Sequence, residues 1–312
     1  MSLNPLSLFR AMPGSIAQGM IWGVMALGVY ITFRLLDFAD LTVDGSIATG
    51  AAVSVMLIRA GVSPIATLPI AFLAGALAGM VTGLLNTALG IPGILASILT
   101  QISLYSINLN IMGKANQPVS VDNYPLVVSL RYVTDGSVSR LLFFLGMIVF
   151  LLALIAVMYW YFGTEQGHAI RATGCNSNMA RAQGINTNFI KVLALMISNG
   201  LVALSGALLS QYQSFADINM GRGAIVIGLA AVIIGEALFG KLFRNFALKL
   251  LAVAIGSVIY YAVIQAVVSL SGINSNYLKL LSALIVAVFL TVPHWKAKYF
   301  TKKRVTGGKS HA

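Results

Sequence analysis

Residues 141–162 read Leu141-Leu-Phe-Phe-Leu-Gly-Met-Ile-Val-Phe-Leu-Leu-Ala-Leu-Ile-Ala-Val-Met-Tyr-Trp-Tyr-Phe162, a run without a single charge. A helix needs about 20 such residues to cross the hydrocarbon of a bilayer, so this stretch is long enough to span. The whole chain is built the same way: 58% of its 312 residues are hydrophobic and 9% are charged. A soluble domain carries about 25% charged residues. The composition therefore excludes a soluble enzyme, a nucleic-acid-binding domain and a disordered chain. The net charge of +12 is spread between apolar runs, the distribution of membrane loops rather than of a DNA-binding face. Cys175 is the only cysteine, which leaves no disulfide framework. Arg10 precedes an apolar stretch too long for a cleavable signal, so none is expected.

Outward from 141–162, eight further apolar segments read as 15–36, 46–60, 65–89, 92–112, 190–213, 223–240, 247–268 and 278–293. The expected fold is an all-α polytopic membrane protein, one domain over 1–312, with about nine transmembrane helices (range eight to ten). Segment 46–60 is short and follows Asp37, Asp40 and Asp44, which suggests a broken helix. Polar stretches fall at 113–140 and 163–190, and a basic tail at 296–312. The positive-inside rule sets the orientation. With the tail in the cytoplasm, the inner side holds 13 of the 20 Lys and Arg, and six of those 13 lie in the tail. Loop 113–140 is then extracytoplasmic and 163–190 cytoplasmic. Gly75, Gly79 and Gly83 make two overlapping GxxxG steps, spacing that lets helices pack closely within one subunit.

The chain also repeats itself. An offset of 177 residues aligns Phe38-Ala39-Asp40 with Phe215-Ala216-Asp217, and pairs Ala17, Gly23, Ala26 and Leu27 with Ala194, Gly200, Ala203 and Leu204. Each copy is a long apolar segment, a short acidic break, then a short apolar segment. The orientation above turns the two breaks to opposite sides, an inverted repeat of the transporter kind.

Residues 163–186 allow a short helix around Asn176–Gln183, with Gly184 in C-cap position. The run Gly167–Asn186, with Gly167, Arg171, Gly174, Asn176, Ala180, Arg181, Gly184 and Ile185, resembles the coupling segment of ABC importer permeases. Asp40-Leu-Thr-Val-Asp-Gly-Ser46 and Ile234-Gly-Glu-Ala-Leu-Phe-Gly240 resemble the same family, which serves branched-chain amino acids and ribose-type sugars. They point to its subgroup paired with lipoprotein-type binding proteins. The resemblance implies a permease in a bacterial inner membrane that hydrolyses nothing itself. Its implied partners are a second permease copy, two ATP-binding cassette subunits and an outer substrate-binding lipoprotein. ATP and Mg²⁺ would sit on the ATPase, with no cofactor on this chain. Ala180 and Gly184 are the small positions expected to enter the partner's cleft, with Arg181 at its rim.

Other residues offer less. Gly307-Gly308-Lys309-Ser310 mimics a phosphate loop but has Lys303 where the pattern needs Gly. His168, His294 and His311 are scattered, so no metal site is expected. Glu236 is the one acid inside an apolar segment, and Lys241, Arg244 or a helix amide are its expected partners. Asp40, Asp44, Asp217 and Glu236 are the candidates for translocation or gating, with helix capping as the competing use of the three aspartates. The solute expected is an amino acid, aromatic by preference, with a sugar or nucleoside next. An ion-coupled transporter is the alternative mechanism, and it would need a charged site near mid-membrane.

Overall fold

The computed structural model describes residues 5–119, 124, 126–134, 137–240 and 245–271, with isolated positions between 280 and 291. The helices are α1 (Pro5–Tyr30, closing in a π-helical turn Ile31–Leu35), α2 (Thr42–Arg59), α3 (Pro64–Thr87), α4 (Gly93–Met112), α5 (Leu130–Thr134), α6 (Ser137–Phe162), α7 (Glu165–Cys175), α8 (Ser177–Ala182), α9 (Thr187–Gln213), α10 (Ala224–Phe239) and α11 (Phe246–Ser271). Two short strands, β1 (Asn116–Pro118) and β2 (Phe215–Asp217), pair antiparallel. The fold is all-α apart from this ribbon, as the composition requires.

Among the described residues, six helices are long and apolar enough to cross a membrane: Ala11–Leu35, Pro64–Thr87, Gly93–Met112, Arg140–Phe162, Thr187–Gln213 and Phe246–Val268. The expected ninth segment, 278–293, and the tail, 296–312, fall largely or wholly outside the described residues. Segment 223–240 forms the 16-residue α10, a shorter apolar helix of about 24 Å at 1.5 Å per residue, less than a ~30 Å core. Stretch 113–140 is not loop throughout, since it holds β1, α5 and the first turn of α6. Stretch 163–190 contains two helices where one was expected.

The repeat offset has a geometric counterpart. Helices α1 and α9 pack antiparallel. Ser198 Oγ donates to the Gly28 carbonyl at 2.8 Å, and Ser205 Oγ donates to the Ile21 carbonyl at 2.8 Å. The offset carries Ile21 to Ser198 and Gly28 to Ser205, so the two contacting residue pairs are equivalent, although both hydroxyl donors lie on α9. After each long helix the chain turns through a left-handed residue at the same repeat position, Asp37 (φ 54°) and Ser214 (φ 62°). The aspartates of the two Phe-Ala-Asp triplets then make the same turn. Asp40 accepts from Thr42 N at 2.9 Å, and Asp217 from Asn219 N at 2.7 Å. The local pseudo-twofold axis passes where position 44 meets its equivalent, 221, because a Cβ on Gly221 would overlap the Asp44 carbonyl.

Helix α3 packs along α9 as α11 packs along α1, completing the correspondence. Gly75, Gly79 and Gly83 lie against Asn199, Leu195 and Val192 of α9, where an added Cβ would overlap backbone. Gly19 and Gly23 of α1 lie against Val258 and Ser257 of α11. In lipid, close backbone approach of this kind and buried hydroxyl bonds hold helices together. The core is correspondingly centred on α1 and α9, which bury residues around most of their circumference. The outer helix α6 instead presents Leu141, Val149 and Trp160 outward.

Candidate functional site

From the axis, the short helices diverge. α2 runs toward the β ribbon, with Ser54 accepting from Gln211 Nε2 at 3.3 Å and Arg59 donating to Gln117. α10 runs the opposite way, to the end that carries α7 and α8. Their N-termini meet in the middle of the bundle. There Asp44 holds both together: its Oδ2 accepts from Gly223 N at 2.9 Å and its Oδ1 from Ile225 N at 3.0 Å. The carboxylate thus sits on the positive end of a helix from the other repeat. Asp40 is 2% exposed, and its Oδ2 accepts from Asn199 Nδ2 at 2.7 Å. Asn199 Oδ1 in turn accepts from Ser46 Oγ at 2.6 Å. Asp40 and Asp217 therefore fix the breaks, while Asp44 also lines a cavity of about 370 Å³ between α2, α4 and the start of α10.

Lys241 and Arg244, two of the expected partners of Glu236, lie outside the described residues; among the described residues its carboxylate is held by an arginine of α1. Arg34, in the π turn that ends α1, makes a bidentate pair with it: Nη2 to Oε2 at 2.6 Å and Nε to Oε1 at 2.8 Å. The pair ties the far end of one repeat's long helix to the far end of the other's short helix. It lies far from the break, so the gating candidates fall into two places. Sequence spacing could not supply this partner, because 202 residues separate the two side chains.

The segment that resembles a coupling element is folded onto the end of the bundle. Gly167 lies against the Phe162 backbone and Gly174 against the Leu35 carbonyl, so both are contact points with spans. Arg171 donates to the Phe162 carbonyl and its guanidinium stands 4.8 Å from the centre of the Phe246 ring. Asn176 caps α8, accepting from Asn178 N and Met179 N at 3.1 and 3.0 Å. Gly184 (φ +82°) and Ile185, whose N–H reaches the Ala180 carbonyl at 3.1 Å, close α8 in a left-handed cap. Arg181 donates from Nε to Thr187 Oγ1 at 2.7 Å, pinning α8 to the start of α9.

One expectation is overturned here. Ala180 is 3% exposed and packs into its own chain, so it cannot enter a partner's cleft. α8 is amphipathic over its single turn and a half, and the neighbouring Met179, 64% exposed, occupies the outward face instead. A hydrophobic side chain next to a cap was the missed signal. Among the described residues no three His, Cys, Asp or Glu side chains gather as metal ligands. His168 Nδ1 contacts the Thr164 carbonyl at 2.8 Å, a local helix contact.

Antiparallel repeats, half-length helices meeting at mid-bundle and a folded segment at one end define a multi-pass membrane permease. The comparisons agree. A family model described as the permease component of branched-chain amino acid transport systems matches residues 12–290, and the chain belongs to that family of ABC-transporter permeases. It is 40% identical over 275 residues to a tyrosine transport system permease protein of Clostridioides difficile, covering 88% of each chain. An inner membrane ABC transporter permease protein of Escherichia coli is 27% identical, over 69% of this chain and 64% of its own. The ribose import permease protein of Haemophilus influenzae is 24% identical, over 91% and 83%. No solved structure matches. The protein is accordingly a multi-pass component of a bacterial inner membrane.

Proposed function

We propose that this chain is the membrane-spanning half of an ATP-driven importer for an amino acid, aromatic by preference. Two copies form the path, two ATP-binding cassette subunits dock at the α7–α8 end in the cytoplasm, and an outer binding lipoprotein delivers the solute at the β-ribbon end. ATP and Mg²⁺ belong to the docked subunits. The observation that carries the reading is the contact of Gly174 with the Leu35 carbonyl. Through it, α7 bears on the last turn of α1, and α1 leads directly into the Asp37–Asp44 break that meets α10. Movement of α7 and α8 on ATP closure is thereby transmitted to the point where the two repeats join. The two conformations differ in energy only as far as the ATP-bound and ATP-free partners bind them differently. The amino-acid preference rests on the name of the Clostridioides difficile relative.

Reconstitution with the neighbouring ATPase and binding protein tests this reading. Uptake of L-tyrosine should require ATP inside the compartment that the ATPase faces. Uptake driven by a sodium or proton gradient without ATP refutes it in favour of a secondary transporter.

A further inference from the structure

The cavity at the axis is partly open to the surface of the bundle and carries an unusual set of polar groups. Asn108 of α4 is fully buried, and neither its Nδ2 nor its Oδ1 has a partner. Buried amides are normally satisfied, and one left open costs stability unless something else bonds it. Gln101 and Tyr105 stand on the same side of α4 and line the same space, with no side-chain bond to other described residues. Opposite them, Arg222 precedes α10, and its guanidinium makes no hydrogen bond or ion pair among the described residues. Arg222 is exposed in the turn before α10, so its charge stands at the mouth of the cavity, where an anionic group of a ligand can meet it. The remaining charge is Asp44. Its two oxygens accept one backbone N–H each, and a carboxylate has lone pairs for about twice that number.

We propose that this cavity is the amino-acid site of the permease, binding the solute as a zwitterion. The guanidinium of Arg222 and the amide of Asn108 take the α-carboxylate, and Asp44 takes the α-ammonium. The inference rests on the importer reading and names the site and chemical class behind it. One positive and one negative group on a single cavity match a zwitterion. A neutral sugar would leave both charges uncompensated, and an inorganic anion would meet Asp44. The volume of about 370 Å³ lies near the bottom of the ~300–1,000 Å³ range of small-molecule sites, so it suits a single amino acid. The location suits transport as well. The site lies where the N-termini of two half-helices meet on the pseudo-twofold axis, so motion of either repeat changes its shape.

The test uses the full-length permease in its complete transporter, reconstituted in vesicles, with Cys175→Ser and Ser106→Cys. Ser106 lines the cavity, so its modification by a small thiol reagent reports occupancy. L-tyrosine should slow labelling. Tyramine, which lacks the carboxylate, and N-acetyl-L-tyrosine, which lacks the ammonium, should not. Arg222→Gln should raise the L-tyrosine concentration needed for protection about tenfold or more, equivalent to about 1.4 kcal/mol. Arg222→Lys should recover part of the loss, because it keeps the charge without the bidentate fork. Labelling that L-tyrosine leaves unchanged, or that tyramine slows equally, overturns the site. ATP-driven uptake in the same vesicles is scored separately: uptake without protection sinks the site and leaves the importer reading standing, and protection without ATP-driven uptake does the reverse.

Discussion

Gly174→Val is the perturbation that most directly interrogates the path from the α7–α8 end to the break. A Cβ at this position would run into the Leu35 carbonyl and the Leu36 backbone. Neither can yield cheaply. Leu36 N bonds to the Ile31 carbonyl and Phe38 N to the Thr32 carbonyl, both at 2.9 Å, so the turn is held from inside. Overpacking of a tight contact costs ~1–3 kcal/mol. At about 1.4 kcal/mol per factor of ten, the ratio of seated to unseated α7 falls roughly five- to a hundred-fold. The atoms nearest to a Cβ on Gly174 all belong to this turn, so insertion and assembly should persist. The assay is ATP hydrolysis stimulated by loaded binding protein, alongside uptake, in reconstituted vesicles. Both should drop by at least about fivefold, with basal hydrolysis of the ATPase unchanged. Gly146→Ala is the matched control, because a Cβ there meets nothing within 4 Å. Wild-type coupling in Gly174→Val, with insertion verified, would show that α7 does not act through the end of α1.

Three further outcomes follow from particular contacts. Ser198→Ala and Ser205→Ala should each cost ~0.6–1.7 kcal/mol of stability in a detergent unfolding titration, the range for buried interhelical bonds. Both hydroxyls lie on α9 and bond carbonyls of α1, so a variant of either that loses no stability shows that its bond does not hold the two helices together. Native Cys175 is exposed at the α7–α8 junction. An impermeant thiol reagent should modify it only from the cytoplasmic face, while Lys114→Cys in a Cys175→Ser background should react only from outside; the opposite pattern inverts the orientation. Met179→Asp should weaken co-purification of the ATPase while leaving the permease folded, whereas Ala180→Trp should unfold the α8 turn itself. Undiminished co-purification with Met179→Asp removes α8 from the docking surface.

The chain's own letters determined its class. Runs such as 141–162 have no soluble alternative, because transfer of about 20 apolar side chains to lipid outweighs any other arrangement. The repeat was legible too, since a duplicated segment keeps local signals. Phe-Ala-Asp marks a turn that needs a left-handed residue and an aspartate at fixed spacing, and both copies supply them. Asn176 and Gly184 announced the ends of α8 for the same local reason. What the tertiary structure alone decided involves partners far apart in the chain. Hydropathy counts α10 as a span, and only packing reveals that it starts at mid-bundle. The partner of Glu236 is Arg34, because the inverted repeat brings the ends of α1 and α10 together. Asp44 seals the N-terminus of α10 across 179 residues. Ala180 reads as a docking position until α8 is seen lying with that face against its own bundle. Asn108 and Arg222 are ordinary polar letters in sequence; they become a candidate site only once folding leaves them without partners around one cavity. Local backbone chemistry repeats with the sequence, but the direction in which a side chain finds its complement is set by how the helices cross.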